Sequence, residues 1–262
     1  MKASDWKVNE DIELEGGVQY HIRCTRGDVS EYVLLPGDPG RISLIAKLLD
    51  HPKEVAYNRE HRTITGYYQG LRVSATSTGM GCPSTAIAVE ELIRIGAKVF
   101  VRVGSCGGFS DDVYPGDYIL PTGAVALEGT SPIYMEKDPF CAAPDFDVLH
   151  SLYHSAVASG RRFHTGVILC HDALYAETKP FLQRWYERNV NSMEMESSIL
   201  FTLGTLRNVK TGSFNLVGAN SITLEKSNLT EEQMNEIRYH QHKIVLDTFK
   251  DLESKYHFQE SQ

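Results

Sequence analysis

The stretch 98–108, KVFVRVGSCGG, sets the tightest limit on how this chain can fold. Val99, Phe100, Val101 and Val103 form a short, mostly β-branched run next to glycine-rich sequence. Such a run predicts a central strand buried on both faces. Arg102 interrupts it, and a charge on a buried strand is costly unless it meets an opposite charge. Gly104-Ser105-Cys106-Gly107-Gly108 follows with almost no side chains, so the backbone there can approach a ligand closely. Open α/β sheets bind ligands beyond the carboxyl ends of their strands. Arg102 aimed at a bare glycine loop therefore reads as an oxyanion site, most simply for phosphate. The other reading, an arginine neutralised by an interior carboxylate, stays equally open from these residues alone.

Neighbouring segments fit the same architecture. A strand over 32–35 ends at Pro36-Gly37-Asp38-Pro39-Gly40, and Arg41 then opens a helix with Ile42, Ile45, Ala46 and Leu49 on one face. Arg41 opposes the dipole of that helix, and an anion near the turn would offset the conflict. A strand over 71–77, the turn Gly79-Met80-Gly81-Cys82-Pro83 and a helix over 85–95, capped by Ser84 and stopped by Gly96, lead into the opening stretch. Residues 71–103 thus form one β-α-β unit with parallel strands and a right-handed crossover. Further strands are expected at 21–25, 117–127, 164–170 and 212–217. Helices are expected at 146–158, 181–188, 195–206 and 230–256, the last opened by Thr230 with Gln233 three residues on. Residues 1–18 read as a polar N-terminal tail, and 19–262 as a single domain without repeat or linker.

Composition removes several function classes. Acidic residues outnumber basic ones, 34 to 26, which argues against binding nucleic acid or an acidic membrane. No apolar run is long enough to span a bilayer, and the start lacks the basic-then-apolar order of a secretory signal. The five cysteines are scattered and read as free thiols, so the expected location is the cytoplasm. The turn at 79–84 lacks the third glycine of a dinucleotide fingerprint, and Arg102 ends the next strand where an acid would be needed. Val103-Gly104-Ser105-Cys106-Gly107 lacks the first glycine of a nucleophile elbow. His150 and His154 have ligand spacing, but Ser151 stands where a zinc protease needs Glu, so no metal site is expected.

Met193-Glu194-Met195-Glu196-Ser197 places two carboxylates one residue apart at an expected helix start. They are either acids favoured by the helix dipole or a carboxylate that accepts two hydrogen bonds from a sugar diol. With Arg41, Arg59 and Arg102, phosphate plus sugar becomes the economical description.

Five segments in order then resemble the nucleoside phosphorylase family, which includes uridine phosphorylases and hexameric purine nucleoside phosphorylases. They are Gly37-Asp38-Pro39-Gly40-Arg41, Asn58-Arg59-Glu60, the turn from Ser77 to Ser84, Arg102-Val103-Gly104-Ser105-Cys106-Gly107, and Glu194-Met195-Glu196-Ser197. The resemblance implies a three-layer α/β/α fold with a central mixed, barrel-like sheet. It also implies a homo-oligomer, a dimer or trimer of dimers. The implied reaction is reversible phosphorolysis of a nucleoside to free base and ribose 1-phosphate, with Arg102 and Glu196 catalytic. By the same resemblance Gly37, Arg41, Arg102 and Ser105 hold phosphate, with Arg59 supplied by a neighbouring subunit. His21, also from the neighbour, and Glu194, Met195 and Glu196 meet the ribose, while Cys106, Gly107, Leu174 and Tyr175 face the base. No cofactor is required beyond inorganic phosphate as co-substrate. Glu60, Met80 and Ser84 match positions that hold a potassium ion between subunits in some uridine phosphorylases.

Base recognition departs from the family pattern. Thr178 and Pro180 stand where uridine phosphorylases carry Gln and Arg, and Leu174 replaces the usual aromatic. Gly218-Ala219-Asn220-Ser221 lacks the Asp of the purine enzymes. Gln19-Tyr20-His21 with Arg26-Gly27-Asp28-Val29, and Glu128-Gly129-Thr130-Ser131, resemble bacterial uridine phosphorylases, so uridine is favoured. A purine nucleoside phosphorylase and a nucleoside-binding protein with lost or altered base specificity are the alternatives. A nucleosidase, which uses water, would have no need of three arginines together.

Overall fold

A computed structural model describes residues 12–224 and 227–256. In chain order the elements begin with β1 (Glu13–Leu14), β2 (Val18–Gln19), β3 (Tyr32–Leu35), α1 (Ile42–Ala46), β4 (Asp50–Asn58), β5 (His61–Tyr68), β6 (Leu71–Thr76) and α2 (Cys82–Arg94). Then come β7 (Val99–Arg102), β8 (Ser105–Gly108), β9 (Tyr118–Leu127), α3 (Thr130–Tyr134), α4 (Phe146–Ala158), β10 (Phe163–His171) and α5 (Lys179–Tyr186). The chain closes with β11 (Ser192–Glu194), α6 (Ser197–Arg207), β12 (Lys210–Ser213), β13 (Asn215–Asn220) and α7 (Glu231–Tyr256).

Two sheets carry the molecule. A six-stranded sheet runs β12-β7-β3-β6-β5-β4, parallel through its first four strands and antiparallel at β5 and β4. A five-stranded closed barrel runs β10-β11-β8-β13-β9. Alternation along the strands explains the layers. Tyr32 and Leu34 of β3, with Val99 and Val101 of β7, pack with α1, α4 and α7 on one face. Val33, Leu35 and Phe100 turn to the other face and pack with α2 and α6. β3 and β7 are buried at every position, which is why their sequence reads as a continuous apolar run. The fold is therefore mixed α/β with helices on both faces of the sheet, as the resemblance implies.

Twice the chain leaves the six-stranded sheet and enters the barrel. β7 crosses at Val103-Gly104 into β8, and β12 crosses at Phe214 into β13. The two crossings run side by side, with Ser213 opposite Arg102 and Leu216 opposite Ser105. The side-chain amide of Gln241 on α7 donates to the carbonyls of both Gly104, at 2.8 Å, and Phe214, at 2.7 Å. One buried glutamine thus ties both crossings to the helix that covers them.

Several expected elements differ. The glycine stretch after Arg102 is not a loop but β8, because barrel neighbours β11 and β13 take its backbone groups. Residues 212–217 are two strands in two sheets. The polar stretch 55–65 lies in the hairpin of β4 and β5, whose edge position tolerates polar residues. Residues 21–25 are not a strand: the Glu91 carboxylate accepts the backbone N–H groups of His21 and Ile22, which a strand would need for pairing. Residues 13–18, read as part of the tail, form the β1–β2 hairpin together with Gln19, whose Nε2 donates to Glu13 at 2.9 Å. The rest of that tail, 1–11, lies outside the described residues. The capping box of α7 is as expected, Thr230 N–H donating to Gln233 at 2.8 Å and Gln233 N–H to Thr230 at 3.2 Å. No helix among the described residues is long and apolar enough to cross a membrane.

Candidate active site

Both sheets contribute to one cavity of about 830 Å³. From the six-stranded side come Gly37, Asp38 and Arg41, which follow β3, and Arg102 at the end of β7. From the barrel side come Ser105, Cys106 and Gly107 of β8, and Glu194, Met195 and Glu196 after β11. The turn before α2 adds Gly79 and Met80.

Arg102 meets the interior carboxylates of one of its two sequence readings. Its Nε donates to Glu194 Oε2 at 2.7 Å, and its Nη2 is paired with Glu196 Oε2. Burial opposes the charge on Arg102, but Glu196 and Glu194 outweigh that effect and hold the guanidinium protonated. Its third nitrogen, Nη1, is buried and has no partner among the described residues. A Cβ placed on Gly37 would stand 3.9 Å from that nitrogen, so Nη1 faces the glycine turn after β3. An unpaired buried donor on a cation is an incomplete site, because its desolvation is uncompensated. The interior carboxylates account for two of the three nitrogens and leave the third available.

The two carboxylates are not equivalent. Burial raises Glu194, but Arg102, the Cys170 thiol and the backbone N–H groups of Ser197 and Glu196 together hold it below the ordinary carboxyl range. Burial, with Glu194 as a like charge, pushes Glu196 above that range despite Arg102 and the Gly81 N–H that donates to it at 2.6 Å. Glu194 is thus held ionised by more donors than Glu196, although both pair with Arg102 and both line the cavity. The two acids do not form a helix first turn as the sequence suggested: Glu194 ends β11, and Glu196 precedes α6 without capping it. Gly81 reaches Glu196 because it adopts φ 89°, in the left-handed region open to glycine. Ser84 does not cap α2 either; its hydroxyl shares its one proton between Glu60 Oε1, at 2.8 Å, and the carbonyl of Thr78, at 2.5 Å.

Positive charge accumulates opposite. Arg41 Nη2 donates to Ser105 Oγ at 3.4 Å. Burial, then the like charges of Arg238 and Arg102, lower the pKa of Arg41, although Asp38 and Glu196 oppose them. Behind it, His242 on α7 is fully buried with no partner on either ring nitrogen. Burial, then Arg41 and Arg238, depress its pKa from 6.5 to about 3. The unfolded chain therefore binds a proton at His242 that the folded protein refuses. The associated stability is complete above pH 6.5 and is lost as pH falls toward about 3. His242→Leu is expected to flatten the acid limb by about 2–3 kcal/mol between pH 6.5 and 4.5. Urea unfolding of both proteins across that range checks this; an unchanged slope would mean the imidazole titrates normally.

Other expected site residues fall in two groups. Leu174 lines the cavity, whereas Tyr175 points away from it and is fully exposed, because the short turn over 174–176 carries the two side chains in different directions. His21 and Arg59 do not line this chain's own cavity. They share one patch: Asn58 Nδ2 donates to the His21 carbonyl at 2.7 Å, and Arg59 follows with φ 54° at the β4–β5 turn. A bulky residue held in that conformation is strained, which is common at functional positions. Sequence reasoning missed His171 and Glu177, which line the barrel side of the cavity. They are separated along the chain, and no spacing rule pairs them.

Cys82, Glu128 and Asp172 also bring candidate metal ligands within 4.8 Å of one another. Glu128, however, accepts the backbone N–H groups of Thr130 and Ser131, Asp172 accepts that of Gly129, and the Cys82 thiol donates to the Met195 carbonyl. Local donors and acceptors account for all three without an ion.

Comparison with known proteins agrees with this geometry. The family model described as the phosphorylase superfamily matches residues 31–249. Over 237 residues the chain is 40% identical to the uridine phosphorylase of Thermococcus kodakarensis, covering 86% of this chain and 85% of that protein. Over 204 residues it is 39% identical to the guanosine phosphorylase of Halorubrum lacusprofundi, covering 78% and 84%. The crystal structure of uridine phosphorylase from Vibrio fischeri superposes with a TM-score of 0.83 at 31% identity, over 90% of this chain and 99% of that one.

Proposed function

This chain belongs to the phosphorylase superfamily, and from that membership we propose that it is a nucleoside phosphorylase favouring uridine. It splits a nucleoside with inorganic phosphate into free base and ribose 1-phosphate. One observation carries the reading: Nη1 of Arg102 is a buried cationic donor without a partner, facing the turn after β3. Arg41 lines the same cavity, whose volume is ample for a nucleoside.

Phosphate binds to Nη1 of Arg102, the guanidinium of Arg41, the Ser105 hydroxyl and the backbone at Gly37. Glu194 keeps the Arg102 guanidinium in one orientation, so no reorganisation is needed as charge develops. Met195 packs against the ribose, and Glu196 accepts its hydroxyls with the lone pairs that Gly81 and Arg102 leave. Cleavage of the glycosidic bond passes through an oxocarbenium-like state, as in glycoside hydrolysis. The phosphate dianion beneath the sugar stabilises that charge and then bonds to the anomeric carbon, while the base leaves with the bonding electrons and takes up a proton.

His21 and Arg59, on one patch outside this chain's own cavity, support a homo-oligomer in which each subunit completes a neighbour's site, Arg59 at the phosphate and His21 at the ribose. Glu60 and Ser84 offer oxygen donors beside Met80, which is 84% exposed. This set suits a potassium ion shared across such an interface, since hard cations take oxygen ligands. The five cysteines are free, consistent with a cytoplasmic enzyme.

Base release from uridine, thymidine, inosine, guanosine and adenosine, measured with and without phosphate, tests the proposal. Uridine is expected to be split fastest, and only when phosphate is present. Equal release without phosphate would mean water is the nucleophile and would overturn it. Fastest release from guanosine would favour the purine reading, in line with the guanosine phosphorylase among its relatives.

A further inference from the structure

Neither the uridine-type nor the purine-type base signature is present in this chain, yet the barrel side of the cavity carries a polar pair of its own. His171, the last residue of β10, and Glu177, beyond the short turn over 174–176, both line the cavity. Their side chains meet, His171 Nε2 to Glu177 Oε1 at 2.9 Å, and are 7% and 14% exposed. The Ala173 backbone N–H donates to His171 Nδ1 at 3.4 Å. A ring nitrogen that accepts cannot carry the proton, so the proton sits on Nε2 and His171 donates to Glu177. Phe181 packs on the imidazole, ring centroids 5.1 Å apart, and helps hold it in place. Glu177 Oε1 is thereby committed. Its Oε2 accepts from no described side chain or backbone group, leaving one carboxylate oxygen for the cavity.

We infer that Glu177 reads the base: Oε2 accepts the ring N–H of a lactam or imide base such as uracil, thymine, hypoxanthine or guanine. His171 is the positioning residue that aims it. Adenine and cytosine turn an acceptor nitrogen toward the same edge, so the carboxylate would meet a lone pair and repel it. Leu174, on the same side of the cavity, gives the base an apolar surface in place of an aromatic ring. This rests on the cavity being a nucleoside site, and it adds what distinguishes one class of base from the other.

Glu177→Gln is the decisive variant. The amide oxygen keeps the bond from His171, and the amide NH₂ then faces the base as a donor, inverting the preference. The ratio of kcat/KM for inosine to that for adenosine is expected to fall by more than about tenfold, since a site built around one hydrogen bond rejects the analogue that lacks it. His171→Phe should raise KM for uridine and leave KM for phosphate unchanged, a split that general loosening of the fold would not produce.

Calorimetric titration of free uracil, hypoxanthine and adenine into the wild-type protein with phosphate present needs no turnover. Tighter binding of uracil and hypoxanthine than of adenine is expected. Tighter binding of adenine, or an inosine-to-adenosine ratio unmoved in Glu177→Gln, would overturn the assignment. If the wild type frees no base from any nucleoside, the phosphorolysis reading falls by itself, and the titration still decides the role of Glu177.

Discussion

Arg102→Met is expected to lower phosphate-dependent turnover by about 10³-fold, the scale of losing a preorganised charge-stabilising donor. It should also cost about 3–5 kcal/mol of stability at neutral pH, as when one partner of a buried ion pair is removed. Arg102 is the shared counter-ion of Glu194 and Glu196, and all three are buried.

Without the guanidinium two carboxylates face each other in a site of low dielectric, and their folded-state pKa values rise above the unfolded ones. A raised carboxyl pKa gives stability that persists at low pH and is lost as pH rises through the folded value. The variant should therefore be least impaired in acid. Arg102→Met combined with Glu194→Gln should recover much of the stability and none of the turnover. Urea unfolding and a base-release assay on the single and double variants separate the two effects. Near-normal turnover in either would remove Arg102 from the phosphate site.

Gly104→Ala should cost about 10²-fold in kcat/KM for phosphate, although the added group is a single methyl far simpler than a lost charge. A Cβ there would stand 2.5 Å from Arg102 Nη2, 2.6 Å from its Cζ and 2.7 Å from Asn215 Oδ1. The guanidinium cannot swing aside freely, because Glu194 and Glu196 hold it. Nor can the backbone retreat easily: Gln241 holds the Gly104 carbonyl, and the chain here is crossing between sheets. The clash must therefore displace Nη1, and a shift of about 1 Å at a positioned group is enough for a loss of this size. Overpacking adds about 1–3 kcal/mol of destabilisation. Steady-state kinetics against phosphate and a crystal structure of the variant check both parts. An unaltered KM for phosphate with the guanidinium in place would refute it.

The legible parts of this chain were those where local chemistry acts without distant help. β3 and β7 declared themselves as apolar runs, α4 by its period, and the start of α7 by the Thr230–Gln233 exchange. Arg102 was legible for a different reason, since a charge on a buried strand demands a partner wherever it occurs. The stretches 105–108 and 212–217 were misread because their strand pairing comes from segments remote along the chain. The pair His171–Glu177 was invisible for another reason: its two residues are only six apart, but a hydrogen bond across an irregular turn leaves no periodic trace.

Residue chemistry along the chain thus pointed to an anion and a sugar at the ends of parallel strands as the economical use of glycine turns, a buried arginine and neighbouring carboxylates. It could not say that Glu194 and Glu196 both pair with Arg102. Nor could it say that one arginine nitrogen is left free, or that β7 and β12 each leave one sheet for the other. Those outcomes depend on which groups are brought within about 3 Å of each other once water is excluded, and hydrogen bonds and ion pairs fall off too steeply with distance to be read from order in the chain.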